Sequence, residues 1–239
     1  MPVQALALAL SLTVFAASDV TPALRRLIPE FERATHSKVT LVPGSTGTLS
    51  QQIRNGAPAD VFFAANEAAV DDLSKDGLVR APTRTVYARG RLVLIALSSI
   101  GRQGATLKDL TSPAIRRIAI ANPAHAPYGL AAQQALQAAG LWDAIRPKLV
   151  YGENVQQAVQ FVESGSAEAG LVARSLAGRP NLIFTEVAPS LYAPLNQTAV
   201  VLARSKQPAL AASFLDFVKG ARGRAALKAF GFLVPGEDF

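Results

Sequence analysis

The sequence predicts an α/β fold of two lobes, each a mainly parallel sheet flanked by helices, with a ligand cleft between the lobes. Three observations lead to this prediction. Short runs of β-branched and aromatic residues alternate with segments of helical periodicity, as in βαβ units. These units fall into two groups, which separate near residue 89 and rejoin near residue 197. Two crossings between the groups indicate a hinge, and the cleft beside such a hinge is the expected ligand site.

The first lobe is expected to contain residues 11–88 and 198–239. Its predicted strands are 12–17, 39–42, 60–65 and 198–203, and its predicted helices are 21–31, 48–55, 208–219 and 223–230. The last two helices have no sheet of their own, so we expect them to return to this lobe. Pro29 is expected to bend the first helix.

The second lobe is expected to contain residues 89–197. Its predicted strands are 89–97, 117–121, 148–151 and 170–173, and its predicted helices are 130–139 and 155–164. Gly140 is expected to end the first of these helices.

The N-terminal residues 1–10 are interpreted as a truncated signal-like segment. The run 3–12 is apolar like the centre of an export signal, but no Lys or Arg precedes it. The alternative is a first strand with an apolar extension. No other run reaches the length of a membrane span.

Composition excludes several classes of protein and site. The chain has no cysteine, which excludes disulfides and Cys-based zinc sites. The formal net charge is +7, but the Lys and Arg residues are scattered, and no zinc finger, homeodomain or RNA-recognition signature is present. We therefore expect no nucleic-acid partner.

The candidate binding residues lie at four junctions, where a predicted strand is followed by a helix. They are residues 18–19, 44–47, 127–129 and 154–155. Each is expected to place unpaired backbone N–H groups at a helix N-terminus, where the helix dipole adds partial positive charge. Several such termini that converge form an anion site without Lys or Arg. A single Ser or Thr residue at one of these junctions would be interpreted as an ordinary helix cap.

The hydroxyl groups of Ser18, Ser45 and Thr46 are expected to add donors to this site. Asp19 is different, because a carboxylate beside a dianion would repel it. We expect its side chain to turn away and cap its own helix, while its backbone N–H serves the site.

Five segments in order resemble the molybdate-binding periplasmic protein family of ABC importers. They are residues 12–24, 43–66, 121–136, 141–172 and 214–232. The resemblance implies the two-lobed periplasmic-binding-protein fold and an exported monomer that is either periplasmic or anchored by a lipid outside the cytoplasm. It also implies capture of molybdate or tungstate without a cofactor and delivery to an ABC permease in the membrane.

By position, the resemblance assigns oxyanion contacts to Ser18, to Thr46 with Ser45 beside it, and to Tyr128 and Val155. Tyr128 and Val155 would donate backbone N–H groups, and no residue would bond the metal directly. Some relatives carry a further tyrosine just after the segment matched by 170–172. Here that position is Ala173, so the Tyr128 hydroxyl is the expected substitute.

Three alternatives remain. An enzyme would need a base or nucleophile with a partner. However, His36 is expected to lie at the surface, and His125 is expected to serve the structure of its loop. Asp60 is expected to accept structural hydrogen bonds. A transcription regulator with this two-lobed design would need a DNA-binding helix-turn-helix, for which we find no room in this chain. A binding protein for sulfate or phosphate would keep the fold and change the ligand.

Overall fold

The computed structural model describes residues 10–99, 104–237 and 239, and the predicted signal-like segment lies almost wholly outside them. Within these residues, ten strands form two five-stranded sheets. The strands are β1 (Ser11–Ala17), β2 (Lys38–Gly44), β3 (Val61–Ala64), β4 (Thr85–Gly90), β5 (Leu92–Leu97), β6 (Ile118–Ala121), β7 (Leu149–Gly152), β8 (Ala169–Ala173), β9 (Leu182–Glu186) and β10 (Leu195–Val201).

Helices flank both sheets. The α-helices of the described residues are α1 (Thr21–Thr35), α2 (Thr46–Arg54), α3 (Glu67–Lys75), α4 (Pro127–Ala138), α5 (Trp142–Ile145), α6 (Val155–Glu163), α7 (Arg174–Ala177), α8 (Pro208–Lys219) and α9 (Ala221–Ala229). Short 3-10 helices lie at Ala81–Thr83, Leu107–Thr111, Arg146–Lys148 and Pro189–Leu191. Helix α1 continues through Pro29 for a further turn and a half, to Thr35. No helix of the described residues has both the length and the apolar character that a bilayer crossing requires.

Both sheets are mixed and have the same plan. The first has the order β2-β1-β3-β10-β4, and the second has the order β7-β6-β8-β5-β9. In each, three adjacent strands are parallel, and the other two pair antiparallel. The prediction of two α/β lobes is confirmed, and each sheet carries an antiparallel pair at one side.

The strand predicted at 89–97 is divided in two. Its first residues end β4 in the first sheet, and Leu92 begins β5 in the second. The chain therefore passes between the sheets at Arg91. It returns between β9 and β10, because β10 pairs with β3 and β4.

Each sheet carries its own core. One face of the first sheet packs against α1, α8 and α9, and the other packs against α2 and α3. The described residues of the second lobe form one large cluster. Ala17 and Ala65, at the ends of β1 and β3, belong to that cluster although their strands lie in the first sheet. The two lobes are therefore in direct contact around the ends of these strands.

Candidate functional site

The four predicted junctions meet around one small cavity between the lobes. It is narrow, because the space open to the centre of a water-sized sphere is about 10 Å³. The lining residues are Ala17, Ser18, Asp19, Gly44, Ser45, Thr46, Ala65, Ala126, Pro127, Tyr128 and Val155. All six predicted site residues are among them, and each is at most 5% exposed. Sequence reasoning did not predict Ala17, Ala65 and Ala126, whose small apolar side chains carry no chemical signal.

The first turn of α2 sends its N–H groups to different acceptors. Ser45 is the N-cap residue, and its Oγ accepts a hydrogen bond from the Thr48 N–H at 3.2 Å. The Gly47 N–H donates to the carbonyl of His125 at 2.8 Å. The Thr46 N–H has no acceptor within the described part of the chain. Because Thr46 lines the cavity, its N–H is available to a ligand there.

The two hydroxyl groups of this turn have different roles. The Thr46 Oγ1 accepts from the Ala65 N–H at 3.0 Å, which leaves its own hydrogen free to donate. The Ser45 Oγ lies 2.7 Å from the Thr48 Oγ1 and 2.9 Å from the His125 Nδ1. A hydroxyl group has one hydrogen, and these contacts already engage the Ser45 group. In this structure Ser45 is a cap and a bridge between lobes, rather than the free donor that the sequence suggested.

Helix α6 also leaves its first N–H free. Asn154 is its N-cap, and the Asn154 Oδ1 accepts from Gln156 and Gln157 at 3.0 and 3.1 Å. The cap thus satisfies the second and third N–H groups of the helix. The N–H of Val155, the first helical residue, has no acceptor among the described residues and lies at the cavity.

Helix α4 begins at Pro127, which has no N–H, so Tyr128 supplies the first donor of that helix. The ring of Tyr128 is 2% exposed. Its hydroxyl group lies at the hinge, where a Cβ atom on Gly90 would come within 2.0 Å of it. The same Cβ position is 2.9 Å from the Gln197 Nε2. The Tyr128 hydroxyl therefore lies among residues of β4 and β10.

Ser18 and Asp19 follow β1 directly. The Ser18 N–H donates to the Gly44 carbonyl at 3.0 Å, while its hydroxyl group has no partner among the described residues. The prediction that Asp19 caps its own helix is wrong. The N-cap of α1 is Val20, and no side chain caps this helix. The reason is that the Asp19 side chain is instead enclosed between the lobes.

Asp19 is buried, with 1% of the residue exposed. Neither oxygen of its carboxyl group has a well-formed hydrogen bond among the described residues. Burial raises the pKa of Asp19 to about 7. The adjacent Tyr128 hydroxyl, nearby backbone N–H groups and Gln197 oppose this rise in the pKa. Tyr128 is a polar neighbour of the carboxyl group, but the two are not aligned as a standard hydrogen bond. The raised pKa favours the neutral form of Asp19, which reduces its repulsion of an anion.

None of the described residues that line the cavity has a cationic side chain. Among the described residues, no three His, Cys, Asp or Glu side chains are grouped as metal ligands. Ala173, the position of the tyrosine in some relatives, is buried in β8 opposite Leu92 and offers no side-chain donor. What converges on the cavity is a set of neutral donors at three helix N-termini together with the hydroxyl groups of Ser18 and Thr46.

Comparison with known proteins identifies the family of this chain. Residues 12–233 match the family model described as bacterial extracellular solute-binding protein. The molybdate-binding protein ModA of Azotobacter vinelandii is 38% identical over 225 residues, which are 92% of this chain and 88% of that protein. ModA of Rhodobacter capsulatus is 32% identical over 220 residues, which are 91% of this chain and 86% of that protein.

The solved periplasmic molybdate-binding protein of Azotobacter vinelandii superposes with a TM-score of 0.87 and 33% identity, covering 94% of this chain and 99% of that one. The match to the family model and to these relatives extends over nearly the whole chain. It confirms the resemblance found in the sequence, and it places the chain among binding proteins rather than enzymes. The chain belongs to the family of bacterial extracellular solute-binding proteins.

Proposed function

We propose that this protein captures molybdate in the cavity between its lobes and delivers it to an ABC permease. One observation carries the proposal. The first N–H groups of α2, α4 and α6, on Thr46, Tyr128 and Val155, have no acceptor among the described residues, and all three residues line the same cavity. The relatives named as molybdate-binding proteins match this chain over about nine-tenths of its length.

The donor set favours a fully ionised tetrahedral anion. Buried N–H and O–H donors need acceptors, and a neutral ligand with fewer acceptor oxygens would leave some of them unpaired. Helix N-termini add partial positive charge without a mobile cationic side chain. Tungstate has the charge and shape of molybdate, so we propose that it binds as a second ligand in the same way.

We propose Ser18, Asp19, Thr46, Tyr128 and Val155 as the residues in contact with the anion, with Asp19 contributing its backbone N–H. Ser45 lies beside them and acts through its cap. The two lobes would be units of one monomer that acts in the periplasm. We place their crossings at Arg91 and at residues 187–194, because β4 and β10 pair in the first sheet.

Thermal unfolding tests the proposed function directly. The purified protein is heated with molybdate, tungstate, sulfate or phosphate, and with no added anion. A ligand that binds only the folded state stabilises it by about 2.7 kcal/mol at a hundredfold excess over its dissociation constant. We expect a raised midpoint with molybdate and tungstate. A raised midpoint with sulfate or phosphate alone would assign a different oxyanion, and no shift with any anion would refute oxyanion binding.

A further inference from the structure

A direct contact between the lobes lies beside the anion cavity. The carbonyl oxygen of His125, in the second lobe, accepts the Gly47 N–H of the first lobe at 2.8 Å. The His125 Nδ1 lies 2.9 Å from the Ser45 Oγ. His125 itself does not line the cavity. One residue of the second lobe therefore makes a backbone and a side-chain contact with the same helix turn of the first.

The approach at Gly47 is too close for any other residue. A Cβ atom there would lie 2.7 Å from the His125 carbonyl oxygen and 2.9 Å from the His125 Cβ. Such distances would force the lobes apart or displace the backbone. The glycine is therefore required for this approach of the lobes, rather than for an unusual backbone conformation of its own.

The turn that carries His125 is held from within the second lobe. Asn122 accepts at its carbonyl from the N–H of Ala126 at 2.9 Å, and its Oδ1 accepts from the N–H of Ala124 at 3.0 Å. The Asn122 N–H donates to the Gly152 carbonyl at 2.8 Å, which fixes the turn to the end of β7. The His125 Nε2 lies 3.9 Å from a carboxylate oxygen of Glu153. His125 is thus positioned before it meets the other lobe.

We propose that His125 is a positioning residue that holds the two lobes closed over the bound anion and slows its release. This proposal rests on the proposed function. Its contacts with Ser45 and Gly47 exist only while the lobes are together. A buried anion can leave only after they separate. The interactions of His125 therefore add to the barrier for dissociation, although the residue does not touch the anion.

The chemistry of the side-chain contact between His125 and Ser45 provides a matched control variant. The Ser45 Oγ accepts from the Thr48 N–H and can donate its hydrogen to the Thr48 Oγ1. The His125 Nδ1 then donates to the Ser45 Oγ. An Asn side chain carries an N–H donor near the position of Nδ1. His125→Asn should keep this hydrogen bond, whereas His125→Ala removes it and leaves the backbone contact.

The test compares wild type, His125→Ala and His125→Asn by stopped-flow measurement of molybdate dissociation and association. We expect His125→Ala to raise the dissociation rate about fivefold to tenfold, with little change in the association rate. We expect His125→Asn to recover most of the wild-type rate. Equal dissociation rates in wild type and His125→Ala would overturn the proposal, as would a loss of affinity that lies wholly in association.

A second measurement separates this proposal from the proposed function. The chain has no cysteine, so Lys75→Cys and Gln137→Cys give one spin label on each lobe. We expect His125→Ala to shift the distance between the labels to larger values than in a labelled protein with His125. If wild type does not bind molybdate, the proposed function fails. The label distances without anion still test the contact, and identical distances in the two proteins would overturn it.

Discussion

The hydroxyl group of Tyr128, on the second lobe, lies against the carboxyl group of Asp19, on the first. Both are buried without a well-aligned hydrogen-bond partner among the described residues. Burial raises the pKa of Asp19 from 3.8 to about 7 and raises that of Tyr128 well above its usual value. This pair places an ionisable group at the contact between lobes, next to a cavity proposed for an anion.

The raised pKa of Asp19 predicts a pH dependence of stability. The folded state holds the Asp19 proton more tightly than the unfolded state does. The stabilisation that this proton gives to the folded state is therefore complete below about pH 4. It is lost as the pH rises to about 7, and it then stays constant. Asp19→Asn cannot ionise. We expect its free energy of unfolding, relative to wild type, to rise between about pH 4 and about pH 7.

Denaturant unfolding of both proteins across this range measures the difference. Other titrating groups contribute equally to both proteins, so they cancel in the comparison. A difference that stays constant with pH would show that Asp19 keeps an ordinary pKa in the folded protein.

Tyr128→Phe removes the hydroxyl group and keeps the buried ring and the backbone N–H. Because this hydroxyl group has no well-formed hydrogen bond, we expect the free energy of unfolding to change by less than about 1 kcal/mol. We also expect the molybdate affinity in calorimetric titration to stay close to that of wild type. A tenfold or greater loss would show that the hydroxyl group itself binds the anion, in place of the donor absent at Ala173.

Gly90→Ala tests the packing at the hinge. The added Cβ would lie 2.0 Å from the Tyr128 hydroxyl oxygen and 3.0 Å from the ring carbon that carries it. We expect a loss of about 1–3 kcal/mol in the free energy of unfolding, as for other overpacked interiors. Combination with Tyr128→Phe removes the nearer of these atoms, so the double variant should lose less than the sum of the single losses. Additive losses would place the clash elsewhere, for example at Gln197.

Val155→Pro removes one N–H donor with little other change. Val155 is the first residue of α6, where proline is well tolerated, and Asn154 before it is extended, with φ −152° and ψ 172°. We expect the helix to persist and the molybdate affinity to fall by roughly tenfold to a hundredfold, the effect of one hydrogen bond to a charged group. Val155→Ala, which keeps the N–H, is the control. An equal loss in both variants would assign the effect to the side chain.

Ser18→Ala removes a hydroxyl group that has no partner among the described residues. No hydrogen bond to another described residue is lost, so the unfolding midpoint without anion should stay near that of wild type. The free energy of molybdate binding should become less favourable by about 1–3 kcal/mol, because one donor to the anion disappears. Thermal unfolding with and without molybdate measures both quantities. An unchanged affinity would remove Ser18 from the site.

Local signals in the sequence identified most of the elements. The apolar runs at 12–17 and 117–121 and the turns that follow them predicted strands and helix starts close to those observed. Strand β4 was predicted only at its last two residues, and strand β9 and helices α3, α5 and α7 were not predicted. Strands β4 and β9 lie at sheet edges, and their half-buried sequences show no clear alternation. An edge strand is defined by the neighbour with which it pairs, and that neighbour is distant in sequence.

The sequence by itself determined which N–H groups lie at the candidate site. A helix start leaves its first N–H groups unpaired by local geometry, so the junctions at Thr46, Tyr128 and Val155 were readable from turn and helix signals alone. Tertiary structure decided which neighbours those donors have. It turned Asp19 towards Tyr128 instead of its own helix, and it engaged Ser45 with His125. These contacts join residues of different lobes, and no local pattern encodes a distance between two chain segments that meet only when the lobes pack together.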